Sequence, residues 1–434
     1  MAHVSHDHWP LSLMRQRAGE PLPEVEVRMP ESQEELIAIL RSGRRLVPAG
    51  GRSGVMGAVA PEVGEVLRDL SAFDRVEIDA SNLTVRAGCG VNGLRLEEEL
   101  NQQGLTLGHF PSSLPITSVG GLIATRSSGQ QSTYYGNIED MVEALTVILP
   151  DGTVCAARPG PRSAAGPRLE EIFLGSEGGL GIVLEAVLRV RRLPEQVVGR
   201  GYDFPRLEEG LEAMRRIVQR DIRPLVMRLY DVEDTLFQSS DASGCLLVVA
   251  TAGATGVAEA EARVVKEECG QAKDLGEAPF ERWRTHRFSL SAEVLKASLQ
   301  AAGSFVDTIE IAAAWNALPD LHREVKAALG AHGLALCHFS HAYAQGCCAY
   351  FTFAGSAESE AEAEAAYVDC WRRTMAASLK LRATISHHHG VGQGRAAWLA
   401  AELDGWLEVW RRVRQAVDPQ AVMNPDALGD RERA

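Results

Sequence analysis

The 434-residue chain is short of positive charge: 44 Lys and Arg stand against 58 Asp and Glu, a net of −14 with His neutral. A surface that reads nucleic acid needs the opposite balance, so that class of partner is excluded. Docking on an acidic membrane by charge alone is excluded with it. No apolar run approaches the roughly 20 residues that cross a bilayer. Met1 to Trp9 carries His and Asp in place of an apolar segment, which is not the pattern of a secretory signal. Arg431-Glu432-Arg433-Ala434 is neither a lipidation box nor an address read by a receptor. The eight cysteines form no CxxC pair, so neither a zinc knuckle nor a redox motif is written here. Reduced thiols in a cytoplasmic protein are expected, with the vicinal Cys347-Cys348 buried in an apolar strand. At 45% hydrophobic and 24% charged residues, what remains is an ordinary globular protein of several domains.

Glycine is plentiful, with 41 residues, and many gather in three clusters before residue 185. The first is Pro48-Ala49-Gly50-Gly51-Arg52-Ser53-Gly54, running on to Gly57. The second extends from Gly108 through Gly120-Gly121 to Gly136. The third is Gly175-Ser176-Glu177-Gly178-Gly179-Leu180-Gly181. Each abuts runs that read as strands: 83–87, 144–149 and 182–190. Leu149 to Val154 reads as strand, tight turn, strand. Ser32 followed by Glu34 and Glu35 opens a helix, and a second helix runs from Leu94 until Gly104 stops it. After Pro194, amphipathic helices at 207–220, 256–269 and 356–377 alternate with strands at 225–229, 245–250 and 349–353. That alternation is a second α+β domain. A final helix is expected over 395–416.

Glycine loops between strands let backbone amides approach phosphate closely. A Rossmann fingerprint is nonetheless excluded for the first loop. Asp69 stands at nearly the right offset for a ribose contact, but Gly57-Ala58-Val59-Ala60-Pro61 is extended and supplies no helix N-terminus. A P-loop fails because no Gly-Lys-Ser/Thr follows.

The loop Pro48 to Gly54, the run Thr117-Ser118-Val119-Gly120-Gly121-Leu122-Ile123-Ala124-Thr125, and Gly175 to Val183 resemble the FAD-binding signatures of the vanillyl-alcohol oxidase and p-cresol methylhydroxylase (PCMH) superfamily. The resemblance covers about residues 24 to 425. It implies an α+β fold in which a two-subdomain FAD-binding domain is joined by an α+β cap and a C-terminal helical segment. The corresponding boundaries are 1–195 for the FAD-binding domain, 196–386 for the cap and 387–434 for the returning segment. The implied FAD contacts are Pro48, Ala49, Gly50, Gly51, Arg52, Ser53, Gly54, Ser112, Ser113, Thr117, Ser118, Gly120, Gly121, Thr125, Ser128, Glu177, Gly178, Gly181, Ile182 and Val183. Members that bind FAD covalently carry a His in the first loop. Here Arg52 and Ser53 stand there, the nearest His is His109, and non-covalent FAD is expected.

Within the superfamily the chain is most similar to the alkyldihydroxyacetonephosphate synthases of ether-lipid synthesis. The words that carry this are Thr133-Tyr134-Tyr135-Gly136-Asn137-Ile138-Glu139-Asp140, Gly160-Pro161-Arg162-Ser163 and Ile385-Ser386-His387-His388-His389-Gly390-Val391-Gly392. The 2-hydroxy-acid dehydrogenases of the superfamily carry a His- and Asp-rich metal motif. The equivalent stretch here, Ser340 to Cys348, keeps His341 but lacks the acidic residue and the second His, so no metal is expected. The resemblance implies exchange of an acyl group for a fatty alcohol through a flavin N5 adduct, without net redox. The alternative is an FAD-linked oxidase or dehydrogenase of a 2-hydroxy acid.

Tyr350 aligns with the family's catalytic tyrosine, with His387, His388 and His389 as acid–base or anion-binding groups; imidazole titrates near neutrality. A buried strand aromatic and hydrogen-bonded core histidines are the bland alternatives. Arg228 is costly inside the apolar run Val226-Met227-Leu229 unless it meets an anion, either substrate or a neighbouring Asp231 or Asp234. Lys296 aligns with a second cap cation, and His341 and Tyr343 complete the implied substrate contacts. Ser112 replaces an acidic residue of the family. The substrate is a small molecule or a lipid, and the resemblance implies a homodimer. Lipid substrates leave room for peripheral membrane contact through the helix bearing Trp398, Leu399, Trp406 and Trp410. Packing of those aromatics onto the FAD domain is the reading that the helical spacing favours.

Overall fold

The computed structural model describes residues 5–61, 66–239, 241–288, 299–425 and 427–428, and Lys296 lies outside them. The chain forms two compact units. Unit 1 is Met1–Ser127, Asn137–Arg192 and His388–Ala434; unit 2 is Ser128–Gly136 and Leu193–His387. Among the described residues no helix is long and apolar enough to cross a membrane.

Unit 1 contains two main sheets. Glu26–Arg28, Val66–Asp69 and Leu46–Ala49 form a parallel three-stranded sheet with Val66–Asp69 in the middle. Five antiparallel strands follow the order Val76–Asp79, Thr84–Gly88, Ile182–Arg189, Val142–Ile148, Val154–Ala156. The helix Gln33–Arg41 starts where the Ser32 hydroxyl accepts the Glu35 amide, and it sinks Leu36 and Leu40 into a core with Leu46, Ile148, Ile182 and Met423. Asn92 caps Gly93–Asn101 in the same way. Among the described residues no helix follows the first glycine loop, as its sequence requires.

The C-terminal segment belongs to unit 1 because Leu46 donates to Val422 O at 2.8 Å and Asn424 Nδ2 donates to Glu177 O at 2.7 Å. The expected single helix over 395–416 is two helices, Gly392–Leu403 and Gly405–Val417. Asp404 at φ 48°, ψ −126° interrupts the hydrogen-bond ladder between them. Packing of all its aromatics is also corrected: Leu399 is buried, but Trp406 is 73% exposed.

Unit 2 is built on a seven-stranded antiparallel sheet. Its order is Lys273–Gly276, Gln196–Phe204, Cys245–Gly253, Val226–Tyr230, Gly333–Ser340, Gly346–Ser356, Ser304–Ala314. Alternation sorts the central strands into two faces. Phe339 and Phe351 meet His322 of the helix Leu318–Gly330, and Phe305 and Phe353 meet Tyr367 of the helix Glu360–Lys380. That second helix starts later than the expected residue 356. The Ser359–Glu362 capping box fixes its origin, while Ser356 still belongs to a strand. The opposite face bears Arg228, Tyr230, His338, Ser340, Tyr350 and Glu310. The register sets Tyr230 across from His338, His338 across from Tyr350, and Tyr350 across from Glu310.

The short stretch Ser128–Gly136, read from sequence as part of the FAD-binding domain, packs with unit 2 instead. Ser132 Oγ meets His341 Nδ1 at 2.6 Å and the Ala342 amide donates to Thr133 Oγ1 at 2.9 Å.

Candidate active site

In unit 1 the three glycine loops close on one another. A Cβ on Gly50 would overlap Ser118 Oγ, and one on Gly51 would overlap the Ile116 carbonyl. Gly178, at φ 77°, lies against the Pro48 ring, where a Cβ would come within 2.9 Å. Ser118 caps the short helix Val119–Ala124 through the Gly121 amide at 3.3 Å. Thr125 Oγ1 donates back to Gly121 O at 3.0 Å. Among the described residues, the backbone amides of Arg52, Ser53 and Gly54 have no hydrogen-bond partner within the protein. A cluster of donors on a chain with no Cβ in the way is the donor set that a pyrophosphate requires. The residues present therefore fit the diphosphate of a dinucleotide.

The other expected cofactor residues fall into place unevenly. Ile182 and Val183 begin a strand paired with Val147 and Ile148; the Ile182 side chain lies in the core, so only its backbone is available, while Val183 is partly exposed. The Ser113 carbonyl accepts the Ile116 and Thr117 amides in the turn that leads to Ser118. Ser128 belongs to unit 2. Glu177 sits at φ 50°, and its carboxylate accepts the Val391 amide at 2.7 Å and the Gly392 amide at 3.0 Å. Its side chain thus ties the third loop to the segment after the histidines. Burial pushes the Glu177 carboxyl above its ordinary range, against those amides and Arg395. His109 is buried, with Nε2 3.1 Å from Ser127 Oγ, and burial pushes its imidazole down to about 3.

In unit 2 the polar face is the second constellation. Arg228 Nη2 lies 2.7 Å from His338 Nε2. A guanidinium has only donors, so Nε2 accepts and the imidazole proton sits on Nδ1, facing Asp234 at 3.6 Å. Burial, followed by the Arg228 charge, pushes the His338 pKa down to about 4. Arg228 therefore rests on a neutral ring. Its Nε is buried without a hydrogen bond, and no carboxylate lies within 4 Å of it among the described residues. The alternative of a salt bridge to Asp231 or Asp234 is corrected. Asp231 is turned to Lys326 at 2.8 Å and His322 at 3.0 Å.

Tyr350 stacks on His338 with centroids 4.8 Å apart and planes at 16°. Burial raises its hydroxyl well above the usual phenol range, against a hydrogen bond with Thr308. Tyr343 OH and His387 Nε2 are 2.9 Å apart, and the His387 ring lies 4.9 Å from that of His341. Glu310 anchors this group through the Ser386 hydroxyl at 3.1 Å and the His387 amide at 3.2 Å.

The three consecutive histidines are divided. His387 ends unit 2, and His388 and His389 begin the last segment of unit 1 with their rings edge to face at 4.6 Å. They lie on bends. Sequence reasoning missed His338, Glu310, Ser132 and Thr133. The pattern Leu336-x-His338-x-Ser340 was a readable signal, since period-two polarity within an apolar strand marks a functional face.

Two family models match the chain in sequence order, the second running on through the C-terminal segment of unit 1. Residues 26–158 match the family described as FAD binding domain, and residues 193–428 match FAD linked oxidases, C-terminal domain. The alkyldihydroxyacetonephosphate synthase of Dictyostelium discoideum is 31% identical, over 96% of this chain and 75% of that protein. An uncharacterized FAD-linked oxidoreductase of Escherichia coli (strain K12) is 30% identical, over 94% of this chain and 89% of that protein. A solved alkyldihydroxyacetonephosphate synthase structure superposes with a TM-score of 0.81 at 26% identity, covering 97% of this chain and 80% of that chain.

Proposed function

This chain belongs to the FAD-linked oxidase family and is a flavoenzyme with a PCMH-type FAD-binding domain, and we propose that it is a transferase. It exchanges the acyl group of an acyl-dihydroxyacetone phosphate for a fatty alcohol. The observation that carries this reading is Arg228. Its charge is held on the polar sheet face by a neutral imidazole, with no carboxylate within 4 Å of it among the described residues. A guanidinium kept in that condition suits a phosphate.

The bound flavin supplies the nucleophile for the exchange. The remaining work falls to side chains. Tyr350 Oη is protonated at neutral pH, because burial raises its pKa, so it enters the reaction as a donor toward the departing carboxylate oxygen. The proton released by the alcohol needs an acceptor. His387, oriented by the Tyr343 hydroxyl at Nε2, is the group of this face suited to take it. His338 stays neutral and orients Arg228. In unit 1, the amides of Arg52, Ser53 and Gly54 hold the diphosphate of FAD without a covalent bond to the protein. His388 and His389 are acid–base candidates of unit 1. The same reading assigns a cytoplasmic homodimer with peripheral membrane contact, and the exposed Trp406 supports the membrane contact.

A second reading is oxidation of a 2-hydroxy acid: the similarity to the E. coli FAD-linked oxidoreductase favours oxidoreduction, and Arg228 would equally bind a carboxylate. The test is incubation of the FAD-loaded protein with acyl-dihydroxyacetone phosphate and a long-chain alcohol, with mass spectrometry of the products. Alkyl product with one equivalent of fatty acid supports the transferase. Absence of alkyl product, with oxidation of a 2-hydroxy acid by the same preparation, replaces it with the second reading.

A further inference from the structure

The segment Ser5–Trp9 precedes the stretch that matches the FAD-binding family, and it lies along the first glycine loop. The His6 amide donates to Val59 O at 2.8 Å and the His8 amide to Gly54 O at 2.8 Å. His8 Nδ1 donates to Arg52 O at 2.9 Å. Asp7 is buried, and its Oδ2 accepts the Ala58 amide at 3.1 Å. Its Oδ1 accepts the Ser5 hydroxyl and, at 3.2 Å, the Trp9 amide. The Trp9 ring, also buried, fills the space beneath Gly57, which is at φ 74°; a Cβ there would come within 2.6 Å of the ring.

The pattern of these bonds is one-sided. The segment takes up carbonyls of the loop, those of Arg52, Gly54 and Val59, together with the single amide of Ala58. The amides of Arg52, Ser53 and Gly54 are left for something else. The Arg52 carbonyl shares a rigid peptide plane with the Ser53 N–H, so engaging that carbonyl on one side turns the Ser53 amide to the other, and the His8–Gly54 O bond fixes the chain just beyond it. We propose that Ser5–Trp9 is a strap that holds the first glycine loop in its phosphate-accepting shape, with Asp7 as the positioning residue. Asp7 touches no cofactor atom in this account; it acts through the loop. It accepts from three donors, Ser5 Oγ, Trp9 N and Ala58 N; the two amides have no other acceptor among the described residues, and Ser5 Oγ also reaches Val59 O at 3.1 Å. The inference rests on the FAD assignment and adds to it an element that the family match does not include.

The test uses apoprotein prepared from full-length wild type, Asp7→Ala, Asp7→Asn and His8→Phe, titrated with FAD by fluorescence quenching. Amide hydrogen exchange is followed alongside. Asp7→Ala is expected to weaken FAD binding by at least about tenfold, and His8→Phe by less. Asp7→Asn, which keeps one acceptor oxygen, should lie between wild type and Asp7→Ala. In each variant exchange should quicken at the amides of residues 52–58 while the rest of unit 1 keeps its protection. If Asp7→Ala does not fold, the other two variants carry the comparison. FAD affinity within twofold of wild type in all three overturns the proposal. So does a loss of protection across the whole of unit 1 in step with the loss of affinity, since that is a folding defect. Wild-type protein that takes up no FAD overturns the flavin assignment itself, and the strap with it.

Discussion

Arg228 is the residue whose placement asks most of its surroundings. A guanidinium half-buried on a strand normally finds a carboxylate, yet here its neighbours are the neutral His338 and the face of Tyr230, 5.6 Å from the ring centroid. Removal of a charge-assisted contact to a phosphate costs on the order of 1.5–3 kcal/mol. Arg228→Ala should therefore raise KM for the phosphorylated substrate about tenfold to a hundredfold, with flavin content unchanged. Steady-state kinetics against flavin absorbance checks both halves. Tyr350→Phe should lower kcat by about a hundredfold or more, the scale of a lost general acid, while KM moves little. Rapid-quench kinetics on the loaded enzyme would reveal the step affected. Arg228 stood out in the sequence because a charge inside an apolar run is costly wherever it sits, whereas Tyr350 was singled out only by its alignment with the family's tyrosine. His338 and Glu310 were less so, because what they touch depends on register between strands far apart in the chain.

The elements that build the cofactor cradle are loops whose shape only glycine permits at a few points. Gly51→Ala places a methyl group on the Ile116 carbonyl, which is backbone and cannot swing aside. The expected result is a folded protein that purifies with little or no flavin, read from the ratio of flavin to protein absorbance. Gly104→Ala is the control, since nothing lies within 4 Å of its Cβ position, although its φ of 71° adds a modest strain. The loops, their order and the strands between them were readable because glycine clusters and β-branched runs are local signals. The break at Asp404 was not, for residues 395–416 keep a helical apolar spacing through a point where one backbone φ reverses sign. The strap was equally hidden. Ser5, Asp7 and Trp9 acquire meaning only when a loop some fifty residues later is laid beside them.

On the scale of the whole molecule, the two units differ in how they answer acid. In unit 2, His338 is neutral in the folded state with its pKa near 4. The unfolded chain protonates at about 6.5, so stability present above that pH is lost as pH falls toward 4. The loss is about 2 kcal/mol by pH 5. Asp231 adds to it at lower pH: burial raises its pKa, but His322 and Lys326 outweigh burial and hold it below the usual value. In unit 1, His109 behaves as His338 does. There, however, burial raises Asp7 to about 6 and also raises Glu97 and Glu177, and raised carboxyls gain stability as they protonate. Unit 2 should thus be the first to lose exchange protection when pH is taken from 7 to 5, with unit 1 nearly unchanged. Pulsed hydrogen exchange read by peptide checks this. The central claim, a flavoenzyme that transfers without net oxidation, meets its most direct test in one anaerobic cuvette. Loaded enzyme receives acyl-dihydroxyacetone phosphate and a fatty alcohol with no electron acceptor present, and flavin absorbance and product are followed together. Many turnovers of alkyl product with the flavin spectrum restored at the end are the predicted result. Permanent bleaching after a single turnover, or turnover only when an acceptor is added, would contradict it.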